Sequence, residues 1–377
     1  MNRRGIINTR FSTEKTTDSE YHIVDRWEEA FARWFEGNCR EHCWSRVAVL
    51  TDEYVWALYG DTINSVLSSL HRSAVPLVLP PGEDSKDFGV LPRLVETLLH
   101  HRVHRRDLLL CAGGGVCCDV GGLLALLYMR GMDYVNVPTS LMAQIDAAVG
   151  GKVGSNFGIN KNLLGGFHQP LQVFIDASFL DTLPDIHFRS ALAEAVKIAI
   201  IRQDESLMEL LEGQSKELLN RHPRLILKLL KSCLVGKLEL LADDPYEICL
   251  DRSLNLGHAA AHALERLPDV SGSRKLLHGE AVAVGIATAI RYAFKSGLCS
   301  REWAIRLLAI LKGLGLPSRV DPADLNQVKS QLARVSDQRG GLLRLVVPQD
   351  KGGVTILSNV ELDRLLECLE PIPGLGM

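Results

Sequence analysis

Three consecutive glycines, Gly113, Gly114 and Gly115, separate an apolar run at 108–112 from a second apolar segment that continues from about Asp119 to Met129. Three positions without a Cβ allow a sharp turn at a strand end and re-entry into a helix, so a buried strand, a turn and a helix are predicted here. Five glycines and Asp119 within 108–129 mark a core segment and not a membrane span. The same alternation recurs on both sides. Residues 47–50 and 77–79 read as strands, the second at a sheet edge because Pro76 precedes it. Residues 84–101 carry Val90, Leu91, Leu94, Val95 and Leu98 at helical spacing, while 134–137 and 173–175 read as further strands. Strands separated by helices predict an α/β domain over 1–183, with a mostly parallel sheet and a ligand beyond its strand carboxyl ends.

From about Pro184 the pattern changes. Residues 189–201, 205–217, 223–241, 254–266, 278–296 and 301–311 have helical periodicity, and only 342–347 and 354–357 look like strands. Residues 184–377 are therefore expected to form a mainly α-helical second domain. Before the first strand, a helix is expected around 24–35.

The 42 basic and 45 acidic residues give a net charge of −3, which leaves no general electrostatic footprint for nucleic acid or anionic membrane. An anionic ligand must be recognised locally. The first fifteen residues do not read as a secretory signal, and the nine cysteines fit reduced thiols, so a cytoplasmic protein is expected.

The glycine turn has two readings. Its amides can approach a phosphate at a helix N-terminus, or its glycines only let helix pack on strand; it lacks the GxGxxG spacing. The polar residues that follow are harder to account for. Arg130, Asp146, Lys152, Asn156, Lys161 and Asn162 lie among Gly, Ala, Val and Leu, and isolated charges in such surroundings require partners or a ligand. Arg130, Lys152 and Asn162 offer the donors that an organic phosphate needs.

In the helical half, Glu194 and Lys197 are three apart on one helix face, His258 and His262 are four apart, and His278 opens another helix. A carboxylate and two histidines suffice for a catalytic zinc site with an open position. Glu194, His258 and His278 are the expected ligands, which leaves His262 for proton transfer or phosphate contact.

These residues resemble the sugar phosphate cyclase superfamily, to which 3-dehydroquinate synthase belongs. The carriers are GGGVCCDVGG at 113–122, VPTSLMAQIDAAVGGKVGSNFGINKNLLGGF at 137–167, LDTLP at 180–184, ALAEAVK at 191–197, NLGHAAAHALE at 255–265 and LLHGEAVAVG at 276–285. The resemblance covers about 47–359. It implies a homodimer with an NAD-binding α/β domain, a helical metal domain and an active site between them. By motif position it implies NAD contacts at Asp52, Glu83, Lys86, Gly114, Gly115, Val116, Asp119, Thr139, Ser140, Asp146, Lys161 and Thr182. It makes Glu194, His258 and His278 zinc or cobalt ligands, and brings Arg130, Lys152, Asn162 and His262 to the substrate phosphate, Arg130 from the neighbouring subunit. Lys197, Lys237 and Asn255 would meet substrate hydroxyls, and Glu247 falls where the family places a proton acceptor. The implied reaction is redox-neutral: hydride passes to NAD, phosphate is eliminated, the hydride returns and an aldol addition closes a carbocycle. Lys152, Lys197, Glu247 and His262 are then the expected proton handlers.

Two departures bear on the substrate. Dehydroquinate synthases hold a substrate carboxylate with an arginine four residues before the asparagine of NxGH, where this chain has Asp251, with Arg252 adjacent. A buried anion facing a carboxylate costs several kcal/mol, on the order of ~3. The family's paired lysines near the C-terminus are also replaced, by SDQRGG at 336–341 and VPQDKGGVT at 347–355. That last stretch, the order GSNF before Lys161, and an acid at Asp251 are similar to 2-epi-5-epi-valiolone synthases, which cyclise sedoheptulose 7-phosphate. Asn255 and Ala261-His262 are dehydroquinate-synthase-like instead, so a related product such as 2-epi-valiolone stays open. Dehydroquinate synthase with Arg252 on the carboxylate, and a polyol dehydrogenase, are the alternatives.

Overall fold

The computed structural model describes residues 19–158, 160–249, 252–267, 275–320, 324–338, 343–350 and 353–375. Asp251 lies outside the described residues, as do Leu342, Lys351 and Gly352. Five strands open the sheet: β1 (Glu20–Val24), β2 (Val47–Asp52), β3 (Ala74–Leu79), β4 (Leu108–Gly113) and β5 (Asp133–Pro138). After an antiparallel hairpin, β6 (Lys152–Phe157) and β7 (Asn160–Phe167), the sixth member is β8 (Gln172–Asp176). The order is β1-β8-β5-β4-β2-β3, with every pair parallel.

Helices α1 (Trp27–His42), α2 (Glu53–Ser69), α3 (Leu91–His100) and α4 (Gly115–Leu127) cover its two faces. The pleat explains the division. In β2 and β4, Val47, Val49, Leu108 and Leu110 pack with α1 and α2, while Ala48, Leu50, Leu109 and Cys111 pack with α3 and α4. Because both faces are buried, these strands read as continuous apolar runs. Pro76 sits in β3 without breaking the sheet because β3 is an edge strand.

The second half contains α5 (Asp185–Arg202), α6 (Glu205–Gly213), α7 (Ser215–Leu219), α8 (Pro223–Ala242), α9 (His258–Leu264), α10 (His278–Lys295), α11 (Arg301–Gly313), α12 (Leu325–Gln338) and α13 (Leu362–Glu367). An antiparallel pair, β9 (Leu343–Pro348) and β10 (Val354–Val360), packs among them. Helix α10 is buried without interruption from Ala281 to Ala293, the pattern of a central helix. A Cβ at Gly279 would overlap the Ser190 carbonyl of α5, and one at Gly285 would overlap the Gly257 carbonyl just before α9. These two glycines bring three helices into backbone contact, at the point where their polar residues meet.

Several local expectations are corrected. The glycine turn is itself the first turn of α4, with Gly114 as N-cap, so the helix begins four residues before Asp119. Residues 84–101 are two 3-10 turns and the shorter α3. The run 205–217 is broken into α6 and α7 at Gln214, and 254–266 is a 3-10 turn before α9. Residues 24–35 contain the end of β1 as well as the start of α1.

Candidate active site

Successive connections run in opposite directions from β2 and β4, which makes a crevice at the carboxyl ends of these neighbouring strands. Asp52 ends β2, caps α2 by accepting from Val55 N at 3.0 Å, and faces the thiol of Cys117 at 3.9 Å. Across the crevice, α4 begins at Gly114 with no side-chain cap, so its first amides point outward without competition from a capping side chain. A Cβ at Gly113 would run into the Cys117 side chain. Thr139 donates its amide to the Gly113 carbonyl at 2.9 Å, which fixes the chain from β5 to Ser140 beside this turn. Lys86 donates to Asp119 at 2.5 Å, and burial raises the Asp119 pKa despite that lysine. Asn156 donates to Glu83 at 3.0 Å, and Thr182 meets the Tyr59 hydroxyl at 2.6 Å. Val116 lies in the first turn of α4.

A second group lies where α5, α9 and α10 converge. One ligand atom each from Glu194, His258 and His278 lie within 4.8 Å of one another. Both Glu194 oxygens are buried; among the described residues the carboxylate is contacted by Lys197, and His278 Nε2 stands 3.7 Å from it. Burial pushes that carboxyl up, yet the Lys197 charge and His278 hold it at about 2. Each imidazole has its Nδ1 engaged: His258 on the Leu256 carbonyl at 3.2 Å, His278 on Glu265 at 3.0 Å. This orients both rings so that Nε2 is left for a metal, as carbonyls and carboxylates orient metal-binding histidines. Burial, followed by the Lys197 charge, lowers His258 to about 3, so it is neutral at ordinary pH. Burial opposes the charge on His278, but the nearby Glu194 carboxylate and the hydrogen bond to Glu265 raise it to about 10, so a cation binding there would displace its proton. A buried, ionised carboxylate and two oriented imidazoles, each within reach of one point, fit a divalent cation.

Glu265 was missed by sequence reading. It is buried, holds His278, and accepts from Lys161 at 2.9 Å, while Lys161 also stands 3.7 Å from Glu83. Its signal was present: Glu265 is seven residues after His258, two turns along the same helical face. Lys161 thereby joins the glycine-turn side of the cleft to the metal-ligand side. Asp146 does the same from the other direction. Lys237 of α8 donates to its carboxylate at 2.5 Å, and Lys237, Lys197 and His278 hold that carboxyl far below its usual range against burial.

A third group consists of Lys152 on β6, Glu247 and Arg252. The Glu247 carboxylate contacts Lys152 through one oxygen and accepts from Arg252 Nη1 at 2.7 Å through the other. Asn162 has a left-handed backbone and donates its amide to the Asn156 side chain at 2.9 Å. The His262 ring centroid is 5.5 Å from that of His258. Asn255 is exposed at the end of a 3-10 turn.

Arg130 is elsewhere. It precedes β5 at the amino end of the sheet, in a cavity of about 640 Å³ that includes His42, Arg105, Arg106, Asp133 and His168 but no metal-ligand candidate. Met129 and Arg130 both have positive φ, 49° and 66°, at this turn. Lys152 and Asn162 do not line that cavity.

Comparisons with known proteins agree with this architecture. Residues 76–190 match the 3-dehydroquinate synthase N-terminal family and 191–337 match the 3-dehydroquinate synthase C-terminal family. The 3-dehydroquinate synthase of Bartonella bacilliformis is 36% identical over 333 residues, covering 86% of this chain and 87% of that protein. The 2-epi-valiolone synthase of Stigmatella aurantiaca is 41% identical over 308 residues, covering 80% and 75%. Among solved structures, ValA, the 2-epi-5-epi-valiolone synthase of Streptomyces hygroscopicus subsp. jinggangensis with NAD+ and Zn2+ bound, superposes with a TM-score of 0.83 at 28% identity, covering 96% and 98%. The matched families and relatives, with this α/β crevice and helical cluster, place the chain among the sugar phosphate cyclases. The chain belongs to the 3-dehydroquinate synthase family.

Proposed function

We propose that this cyclase acts on sedoheptulose 7-phosphate and forms a valiolone-type cyclitol, 2-epi-5-epi-valiolone or 2-epi-valiolone, with loss of phosphate. The observation that carries the choice is the position of Arg252. Its guanidinium is committed to Glu247 and to the Cys249 carbonyl, at 2.7 and 2.9 Å, so it is not free to hold a substrate carboxylate. A carboxylate-free heptulose asks for no such cation. The 41% identity to a 2-epi-valiolone synthase and the likeness to ValA support the reading. The 36% identity to a 3-dehydroquinate synthase favours the second reading, a carboxylated heptulosonate phosphate.

Bound NAD supplies a reversible hydride acceptor, and Zn2+ or Co2+ on Glu194, His258 and His278 supplies a Lewis acid for a substrate hydroxyl. The open first turn of α4 and Asp52 fit the two ends of a dinucleotide in the crevice, with Glu83, Lys86, Asp119, Thr139, Ser140 and Thr182 around it. Lys197 is kept charged because Glu194 and Asp146 outweigh its burial, so it donates to a substrate hydroxyl and does not take a proton. Lys152, Asn162 and His262 receive the phosphate. Lys237 and Asn255 orient hydroxyls, and Glu247, held against Lys152, accepts a proton beside the phosphate-binding cation. Arg130, remote from its own cleft and next to exposed Met129 and Leu127, serves the cleft of a second copy in a homodimer.

Purified protein with NAD and Zn2+ is given either heptulose phosphate alone, and carbocycle formation is followed by NMR. Turnover of sedoheptulose 7-phosphate only is expected; turnover of the carboxylated substrate only would return the chain to the dehydroquinate synthases.

A further inference from the structure

We propose that Arg252 is a positioning residue that sets the orientation of Glu247 in the cleft, and that Asp244–Cys249, together with Arg252, is built as a clip for this carboxylate. The inference rests on the reading of Glu247 as the proton acceptor of the cyclase. Glu247 is a non-glycine residue with φ of 47°, a conformation that its own sequence does not favour. Glu247 is itself buried, but its neighbours Tyr246 and Ile248 are 58% and 82% exposed, so apolar packing of the turn is slight. What holds the backbone is polar. The two Asp244 carboxylate oxygens accept from the amides of Ile248 and Cys249, each at 2.8 Å, and the Glu247 amide donates to the Asp244 carbonyl at 3.0 Å. From the other side Arg252 spans the turn. Its Nε donates to the Cys249 carbonyl at 2.9 Å, one terminal nitrogen donates to the Glu247 carbonyl, and the other donates to the Glu247 carboxylate at 2.7 Å.

The guanidinium thus fixes the backbone and the side chain of one residue at once, a task its rigid fork suits and a lysine cannot reproduce. One carboxylate oxygen is occupied by Arg252, and the other is aimed at Lys152 across the cleft. Tyr246 packs edge-on against Phe167 of the hairpin, at 5.5 Å between centroids, and braces the same turn against the strand pair that carries Lys152. Arg252 therefore acts on the substrate through Glu247 and does not touch it.

The test uses full-length protein loaded with NAD and Zn2+, and whichever heptulose phosphate the unaltered chain turns over. Arg252→Ala is expected to lower kcat about 10- to 100-fold through misplacement of Glu247, with KM changed less than about twofold. Added guanidinium should restore part of the loss, and Arg252→Lys should restore less than guanidinium does. In a Glu247→Gln background the same Arg252→Ala change should cost nothing further, since the two residues act as a unit. Multiplying losses in the double variant, or a selective rise in KM for the carboxylated substrate, would overturn the proposal and make Arg252 a substrate ligand. A crystal structure of the Arg252→Ala holoprotein gives an answer independent of turnover: Glu247 leaves Lys152 and its positive φ if the clip is real, and stays if it is not. A wrong substrate reading shows separately, in the unaltered chain.

Discussion

The two sides of the cleft recognise their ligands by different means. On the sheet side the central feature is backbone: a glycine turn from one contiguous stretch, ending β4 and opening α4 with uncapped amides. On the helical side it is side-chain charge, gathered from three separate helices and held by a network of buried Glu194, Lys197 and Glu265 with half-buried His258 and His278. A backbone site is insensitive to most substitutions and vulnerable to a Cβ. A side-chain site depends on each member and on the helix contacts that assemble them.

The largest effect should come from removing a metal-ligand candidate. His258→Ala, His278→Ala or Glu194→Gln is expected to lower turnover by about 10³-fold or more while NAD affinity stays within about twofold, as measured by steady-state kinetics and calorimetry. Parallel loss of NAD binding would mean that the two sides are not separable. Next in size, Glu265→Gln frees the His278 imidazole and should weaken Zn2+ about 10- to 100-fold in a chelator competition. Gly285→Ala forces α10 away from Gly257, which should cost roughly 1–3 kcal/mol in denaturant unfolding and reduce bound zinc as well. The smallest effect belongs to the sheet side: Asp52→Ala removes the α2 cap and should cost about 1 kcal/mol of stability, with weaker NAD binding and unchanged zinc content.

The same contrast explains what was legible in the sequence. The sheet side could be read because its turn, strand and helix are adjacent in the chain, and the alternation of apolar runs gives the parallel order its logic. The start of α4 was misplaced because glycines read as a turn also make a helical first turn when Gly114 takes an extended N-cap conformation. The hairpin of β6 and β7 went unread, since Lys152–Phe157 and Asn160–Phe167 carry glycines and polar residues without clean alternation. On the helical side, residue types and spacing picked out Glu194, His258 and His278, which the fold does bring together. Glu265 and the Arg252 contact with Glu247 were not seen. The first sits two helical turns beyond a recognised histidine, and the second depends on a left-handed turn that no local pattern announces. Arg130, grouped with Lys152 and Asn162 in the sequence and expected from a neighbouring subunit, lines a cavity at the amino end of β5 in its own chain.

A cyclase would use bound NAD without net reduction, whereas a dehydrogenase on this fold would accumulate NADH. The most direct measurement is stoichiometry: a trace of NAD, Zn2+-loaded protein and excess sedoheptulose 7-phosphate, with phosphate and NADH followed together. One phosphate released per heptulose consumed, with no net NADH, is the predicted result. NADH accumulating in step with substrate loss, and no phosphate released, would contradict it and make the chain a dehydrogenase on this fold.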